Sequence, residues 1–257
     1  MGAEVRISLR ALAPRGTPAQ RWLSIVGPVL DRLLKIRAID RRYRQSGLAG
    51  LPPFEFSARV LSVLNVSVDA APERWLDQVP REGPVLVVCN HPYGGIEALI
   101  LAAALKSVRT DTKFLANAAL RVFREFAPLI ITTNPLAVTQ KNLSSIRQCE
   151  AHLRSGGVLV VFPAGRVSFD QHEKARISDG AWNRVAGHLA LRTEAALLPV
   201  WFDGANSRLF HVLGRLWDRS KLLMLPRELL KLQGRHIRFR VGRPIAASVG
   251  VTRMRRA

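Results

Sequence analysis

The chain has 257 residues, 48% of them hydrophobic, which fits one α/β domain with terminal extensions better than two small domains. Its two cysteines, Cys89 and Cys149, have no second cysteine, and no histidine at metal-ligand spacing, beside them; this argues against a disulfide framework or zinc site and for a reducing, cytoplasmic setting. The formal net charge of +20, supplied mostly by arginine, calls for an anionic partner; a nucleic-acid backbone and an anionic lipid surface both answer to it, and charge alone does not choose between them.

Residues 1–18 read as a loosely ordered basic leader rather than a secretory signal, because Pro14, Gly16 and Pro18 interrupt a short apolar stretch. Over residues 21–44, Trp22, Leu23, Ile25, Val26, Val29, Leu30, Leu33, Leu34 and Ile36 recur at helical spacing, with arginines and Lys35 filling the other positions. The pattern predicts an amphipathic basic helix kinked at Pro28. Such a helix suits a lipid interface, and it equally suits packing on a domain. Gly47, Gly50, Pro52 and Pro53 mark a linker, followed by a short helix over 54–64.

Beyond the linker, short apolar runs alternate with helical segments. Buried strands are expected at 85–89, 113–116, 129–132, 158–162 and 197–202, and a more alternating, edge-like strand at 236–241. Helices are expected at 96–106, 118–126, 139–154 and 181–194, the third ending at Gly156 and Gly157. This alternation predicts a mixed, largely parallel sheet flanked by helices on both faces, with sites where strands end and loops begin. No apolar run reaches the roughly 18 to 20 residues of a membrane-spanning helix; the longest, 96–105, is interrupted by Glu97.

Two segments carry the chemistry. In the first, Val85-Leu-Val-Val-Cys-Asn-His-Pro-Tyr-Gly-Gly-Ile-Glu97, a strand runs into a loop at Asn90-His91 and a helix starts near Gly95. His91 then stands at a strand's carboxyl end and Glu97 in the first helical turn. The carboxylate can fix the imidazole tautomer, leaving the other ring nitrogen to take a proton from a hydroxyl. A histidine after a strand serves as readily as a structural hydrogen-bonder, and His152, His172, His188, His211 and His236 lack such surroundings. In the second segment, Val158-Leu-Val-Val-Phe-Pro-Ala-Gly-Arg-Val-Ser168, another strand meets a turn through Phe162, Pro163 and Gly165. There Gly165 permits close backbone approach, Arg166 can hold a phosphate or carboxylate, and Ser168 lies just beyond; a tight turn with a solvated arginine is the plain alternative. Cys89, in an apolar strand, reads as structural.

Together the segments resemble the lysophospholipid acyltransferase superfamily, whose members carry an Asn-His-x4-Asp block, a Phe-Pro-Glu-Gly block and a final Val-Pro-Val strand, here Leu198-Pro199-Val200. The resemblance covers about residues 70–245. It is nearest to the hemolysin-like branch that includes ornithine-lipid acyltransferases, through residues 90–97, Lys113-Phe114-Leu115-Ala116-Asn117 and Asn206-Ser207-Arg208. Two departures stand out. Glu97 lies one place later than the superfamily aspartate, a rotation of about 100° on a helix that the Gly94-Gly95 pair must absorb. Ala164 replaces the glutamate of the second block, and arginine stands at 166 instead of one place later.

The resemblance implies a glycerol-3-phosphate acyltransferase-like fold over 56–246, after a basic membrane-associating extension (1–55) and before a basic tail (247–257). It implies transfer of a fatty acyl group from acyl carrier protein or coenzyme A to the hydroxyl of a lysolipid: lyso-ornithine lipid, another lyso-aminolipid or lysophosphatidate. His91 would be the base and Glu97 its orienting partner. Asn90, Gly94, Gly95, Phe162, Pro163, Gly165, Arg166, Ser168 and Arg208 would bind substrate, Arg208 completing an anion pocket with Arg166. No metal or cofactor beyond the thioester co-substrate is implied, and the setting is the cytoplasmic face of a bacterial inner membrane. The rivals are a catalytically inactive lipid-binding relative, a nucleic-acid-binding protein, which lacks any zinc spacing or helix-turn-helix, and a hydrolase, which lacks a Gly-x-Ser-x-Gly elbow.

Overall fold

The computed structural model describes residues 7–12, 16–133, 140–171, 176–216 and 220–248. Four helices come first: α1 (Leu9–Leu12), α2 (Pro18–Leu33), α3 (Ile36–Gln45) and α4 (Pro53–Val63). There follow β1 (Ser67–Ala71), β2 (Val85–Cys89), α5 (Ile96–Leu105), β3 (Thr112–Asn117), β4 (Ile130–Thr133), α6 (Gln140–Arg154) and β5 (Val158–Val161). The chain continues through β6 (Phe169–Gln171), β7 (Arg176–Ser178), α7 (Val185–Thr193), β8 (Ala196–Phe202), α8 (Arg208–Leu216), α9 (Ser220–Lys231) and β9 (His236–Val241).

Seven strands form one sheet in the order β1-β9-β8-β2-β5-β3-β4. Every pairing in it is parallel except β8 with β9, so the sheet is mixed and largely parallel, as the alternating pattern predicts. The unbroken apolar character of β2 and β5 follows from burial on both faces. Val85, Val87, Cys89, Val158 and Val160 point into one layer with Phe56, Ile100 and Leu101. Leu86, Val88, Leu159 and Val161 point into the other, with Cys149, Leu153 and Leu189. Leu101 is fully buried, and truncating such a side chain to alanine costs about 2–5 kcal/mol.

Several expectations need correction. Strand β9 alternates exposed and buried residues as its sequence implies, but it is not the edge: β1 pairs outside it, Ser67 opposite His236. β1 escapes a sequence reading because Ser-Val-Asp-Ala-Ala has little β-branched or aromatic content. The chain leaves the β8–β9 ladder at Gly242, whose N–H donates to the carbonyl of Pro199, a residue with no N–H of its own to offer. The segment 118–126 holds one 3-10 turn, Ala118–Val122, in place of an α-helix, and a second, Ala127–Leu129, follows it. The helix expected from 181 begins at Val185, whose N–H is capped by the Asn183 side chain.

At the N-terminus, Pro28 lies within α2 and the break falls later, where Lys35 adopts a left-handed φ of 63° and separates α2 from α3. Residues 7–12 are docked, not loose: the N–H groups of Ile7 and Leu9 donate to the buried carboxylates of Asp40 and Asp31 at 3.0 Å each. Tyr43 of α3 donates to Glu125 (2.7 Å), which also accepts the N–H of Gly50, so the extension is fastened to the sheet domain. Burial first, then Glu125, pushes the Tyr43 phenol up to about 12. Helices α8 and α9 and the β6–β7 ladder have no counterpart in the sequence reading. The expected tail, 247–257, lies almost wholly outside the described residues, as do His172 and the start of the helix expected from 139.

Candidate active site

Strand β2 ends at Cys89, and Asn90 turns the chain out of the sheet. The Asn90 side chain is buried and continues the β2–β8 ladder: Nδ2 donates to the carbonyl of Phe202 (2.8 Å) and Oδ1 accepts its N–H (2.7 Å). With both polar atoms bonded to backbone, Asn90 shapes the loop.

The next residue is His91. Its ring stacks on Phe162, at the end of β5, with centroids 4.1 Å apart and planes at 28°. Nδ1 lies 3.3 Å from Oε1 of Glu97, and the ring keeps 17% of its surface exposed. The carboxylate sits off the N–H direction, so this is an electrostatic contact more than an aligned hydrogen bond, and Nδ1 is buried without a well-directed partner. Adjacent parallel strands β2 and β5 thus deliver the two motif segments to one place, as the resemblance implies.

Glu97 is fully buried in the first turn of α5. Oε1 accepts the N–H of Tyr93 (2.7 Å) and of Gly94 (3.2 Å), and Oε2 accepts that of Gly95 (2.9 Å). Burial by itself pushes the carboxyl up, but His91 and the backbone amides outweigh it and hold it below its ordinary 4.5. The longer side chain, one position later, therefore curls back to its own loop. Gly94 makes the turn possible: its φ is +91°, and a Cβ there would overlap the Leu225 side chain and stand 2.9 Å from Cγ2 of Val167. The amides of Gly94 and Gly95 are engaged by Glu97, so these glycines serve the loop's geometry.

A second carboxylate, which the sequence reading missed, grips the loop from the other side. Asp179, just after β7, accepts the backbone N–H of His91 (3.1 Å), the Nε1–H of Trp182 (3.0 Å) and the hydroxyl of Ser168. Ser168 is itself buried, and its N–H donates to the carbonyl of His91 (2.9 Å). His91 is thereby clamped at both backbone groups, and Ser168 acts as part of that clamp. Asp179 lies 88 residues from His91 in the chain, and no local pattern announces it.

The second motif block folds as a tight turn. Gly165 has φ +66° with open space around its α-carbon, and its N–H donates to the carbonyl of Phe162 (2.9 Å). Pro163 is buried, and its carbonyl accepts from the backbone and side chain of Asn183 (3.0 and 2.6 Å). Arg166 is exposed, its guanidinium 5.4 Å from the centre of the Phe169 ring. Arg208 is exposed at the first residue of α8. The block around it is structural: Asn206 donates to the carbonyl of Tyr93 (3.2 Å), and Ser207 bonds Glu228 of α9 through N–H and hydroxyl (2.8 and 2.9 Å).

A cleft of about 220 Å³ flanks the loop, lined by Asn90, Pro92, Ser168, Asp179, Trp201 and Gly204, with His91 outside its wall. Burial, then the carboxylates of Glu97 and Asp179, push the Cys89 thiol far up, which keeps it an inert core group as its sequence context suggests. Among the described residues no helix is long and apolar enough to cross a membrane.

The chain matches the acyltransferase family over residues 17–253. It is 27% identical over 177 residues to a lyso-glycine lipid O-acyltransferase of Phocaeicola vulgatus, a stretch covering 66% of this chain and 62% of that relative. A lyso-glycine lipid O-acyltransferase of Bacteroides thetaiotaomicron is 27% identical over 200 residues, covering 74% and 70%. The fold is similar to the crystal structure of the 1-acyl-sn-glycerophosphate (LPA) acyltransferase from Thermotoga maritima, with a TM-score of 0.52 and 14% identity over 92% of this chain and 88% of that one. With a histidine and a buried carboxylate paired at the mouth of a largely parallel sheet, and the family match spanning most of its length, the chain belongs to the acyltransferase family.

Proposed function

We propose that this protein transfers a fatty acyl group from a thioester, on acyl carrier protein or coenzyme A, to the hydroxyl of a lysolipid. The observation that carries the reading is the setting of His91: Phe162 against its face, Glu97 at Nδ1, and its backbone clamped by Asp179 and Ser168. That arrangement leaves Nε2 as the working nitrogen. It takes the acceptor's proton as the hydroxyl oxygen bonds to the thioester carbonyl carbon. When the C–S bond breaks, the proton passes from Nε2 to the departing sulfur, so that a lipid ester and a free thiol result and no group stays on the enzyme. Glu97 favours the protonated ring midway through. Because Glu97 already holds the amides of residues 93–95, the oxyanion draws on other donors.

The relatives named for lyso-glycine lipid support a lyso-aminolipid as acceptor, lyso-glycine or lyso-ornithine lipid, ahead of lysophosphatidate. The protein works as a peripheral enzyme at the cytoplasmic face of an anionic membrane, with no metal or nucleic acid. The test is transfer of labelled acyl chains from both thioesters to a panel of lysolipids dispersed in detergent. Turnover by wild type and its loss in His91→Ala support the reading and name the acceptor. Undiminished turnover in His91→Ala removes the base assigned here, and no turnover with any pair leaves a lipid-binding relative.

A further inference from the structure

Two helices expose apolar rows. On α2, Trp22, Ile25, Val29 and Leu33 follow at helical spacing and all face solvent, Ile25 to 78%. On α8, Leu209, Val212 and Leu216 do the same, Leu216 to 80%. A helix of a water-soluble domain turns such a row to the core, yet here the core is served by other faces of the same helices. Leu34, directly after α2, and Phe210 and Leu213 of α8 meet in one cluster with Val167, Met224 and Leu225. That cluster brings the rows together, since Leu33 adjoins Leu34 and Leu216 stands one turn beyond Leu213.

The rows are rimmed by one sign of charge. Arg21, Arg32, Lys35 and Arg37 are exposed along α2 and α3, and Arg208 at the head of α8, on a chain of net charge +20. A second copy of so basic a chain is a poor cover for them. An anionic bilayer offers both an apolar layer for the rows and counter-charge for the rim. We propose that α8 is a second membrane-docking helix, forming with α2 one surface that seats the protein on an anionic lipid bilayer. The inference rests on the lipid-acceptor reading of the site and adds how the site is brought to its lipid. The His91 loop is touched by Asn206, two residues ahead of α8, which donates to the carbonyl of Tyr93, and by Leu225 of α9 over Gly94. Seating α8 therefore holds that loop against the membrane.

The test is co-sedimentation of the full chain with vesicles of phosphatidylcholine, alone and mixed with phosphatidylglycerol. Wild type is expected to prefer the mixed vesicles. Leu216→Asp, and the triple change Leu209→Ser, Val212→Ser and Leu216→Ser, should weaken that binding about tenfold or more, as should Trp22→Ser, Ile25→Ser and Val29→Ser together. Leu216 contributes almost no packing, so the single variant keeps the test valid if the triple one melts early. Wild-type transfer rates to micellar lysolipid in the α8 variants separate loss of docking from failure of the catalytic reading, which would show as no wild-type transfer in micelles. Unchanged vesicle binding by both α8 variants overturns the proposal, as does a wild-type dimer that these changes split into monomers.

Discussion

Asp179 accepts the backbone N–H of His91 at 3.1 Å, while Ser168, bonded to the same carboxylate, donates its N–H to the carbonyl of His91. The position of the imidazole is thus set from a strand pair distant in sequence as well as by Glu97. Asp179 bonds the backbone N–H of His91, so its contribution is to place the ring, and displacement of a base by about 1 Å can cost a hundredfold in rate.

Asp179→Ala is therefore expected to lower kcat for acyl transfer by about ten- to a hundredfold with little change in KM. Asp179→Asn keeps an oxygen for the His91 N–H and should recover most of the loss. Steady-state kinetics beside melting curves decide the matter. Equal damage from both variants, in step with lost stability, would mean that the carboxylate only holds the fold.

Glu97 carries a different expectation, because its charge is buried and already bonded to the amides of Tyr93, Gly94 and Gly95. Glu97→Gln puts an amide NH2 where one acceptor stood, at a cost of about 2–4 kcal/mol in stability and with loss of the electrostatic partner of His91. The fold holds this carboxyl below its ordinary 4.5, so the ionised form is the one the native state favours. Its contribution is present above that pH and is lost as pH falls below it. Denaturation midpoints should separate wild type from Glu97→Gln at pH 7 and draw them together as the pH falls below that ordinary value. A gap that stays constant or widens in acid would contradict the assignment.

Much of this was legible in the chain. β2 and β5 are runs of apolar residues because both sheet faces are covered, and their carboxyl ends, marked by Asn90-His91 and Phe162-Pro163, are where the site lies. The one-residue shift of the acid also left its trace, since Gly94 and Gly95 lie where the turn must be absorbed. What was hidden depends on long-range partners. Asp179 and Glu228 have no periodic or motif signature, and each acquires meaning only by meeting a residue elsewhere in the chain, His91 or Ser207. The anchoring roles of Asn206 and Ser207, beside the Arg208 singled out in the sequence, were hidden because polar residues at a strand's end serve binding and helix anchoring alike. Helix α9 was masked by its internal Pro226.

Gly94 offers a test of packing between α9 and the His91 loop. Gly94→Ala meets both an unfavourable φ of +91° and the Leu225 side chain, and should cost about 2–4 kcal/mol. Combining it with Leu225→Ala relieves the overlap with that side chain and leaves the backbone strain and the close Val167 contact. The double mutant should therefore be more stable than the sum of the two single losses implies, by about 1 kcal/mol or more, as measured in a double-mutant cycle. Strict additivity would place Leu225 away from the loop.

Arg109 supplies the complementary case, a buried cation at the opposite end of the sheet. It is 5% exposed, and its guanidinium donates to the carbonyls of Pro80 and Gly83, to that of Gly156, and to the carboxylate of Asp111. These partners lie ahead of β2 and β5, where the strands enter the sheet, so one side chain ties together the loops that feed the two motif strands. Arg109 first of all, through its hydrogen bonds, holds the Asp111 carboxyl below its ordinary range. Arg109→Ala leaves these carbonyls without their donors and should destabilise the fold by about 3–5 kcal/mol. Arg109→Lys should recover only part of that, because an ammonium cannot reproduce the fork. Since the site lies at the other end of the strands, kcat per folded molecule should stay within about twofold of wild type at a temperature where the variant is folded. A large fall in kcat without a matching fall in melting temperature would mean that strain at the strand entrances reaches His91, and that the two ends of the sheet are coupled.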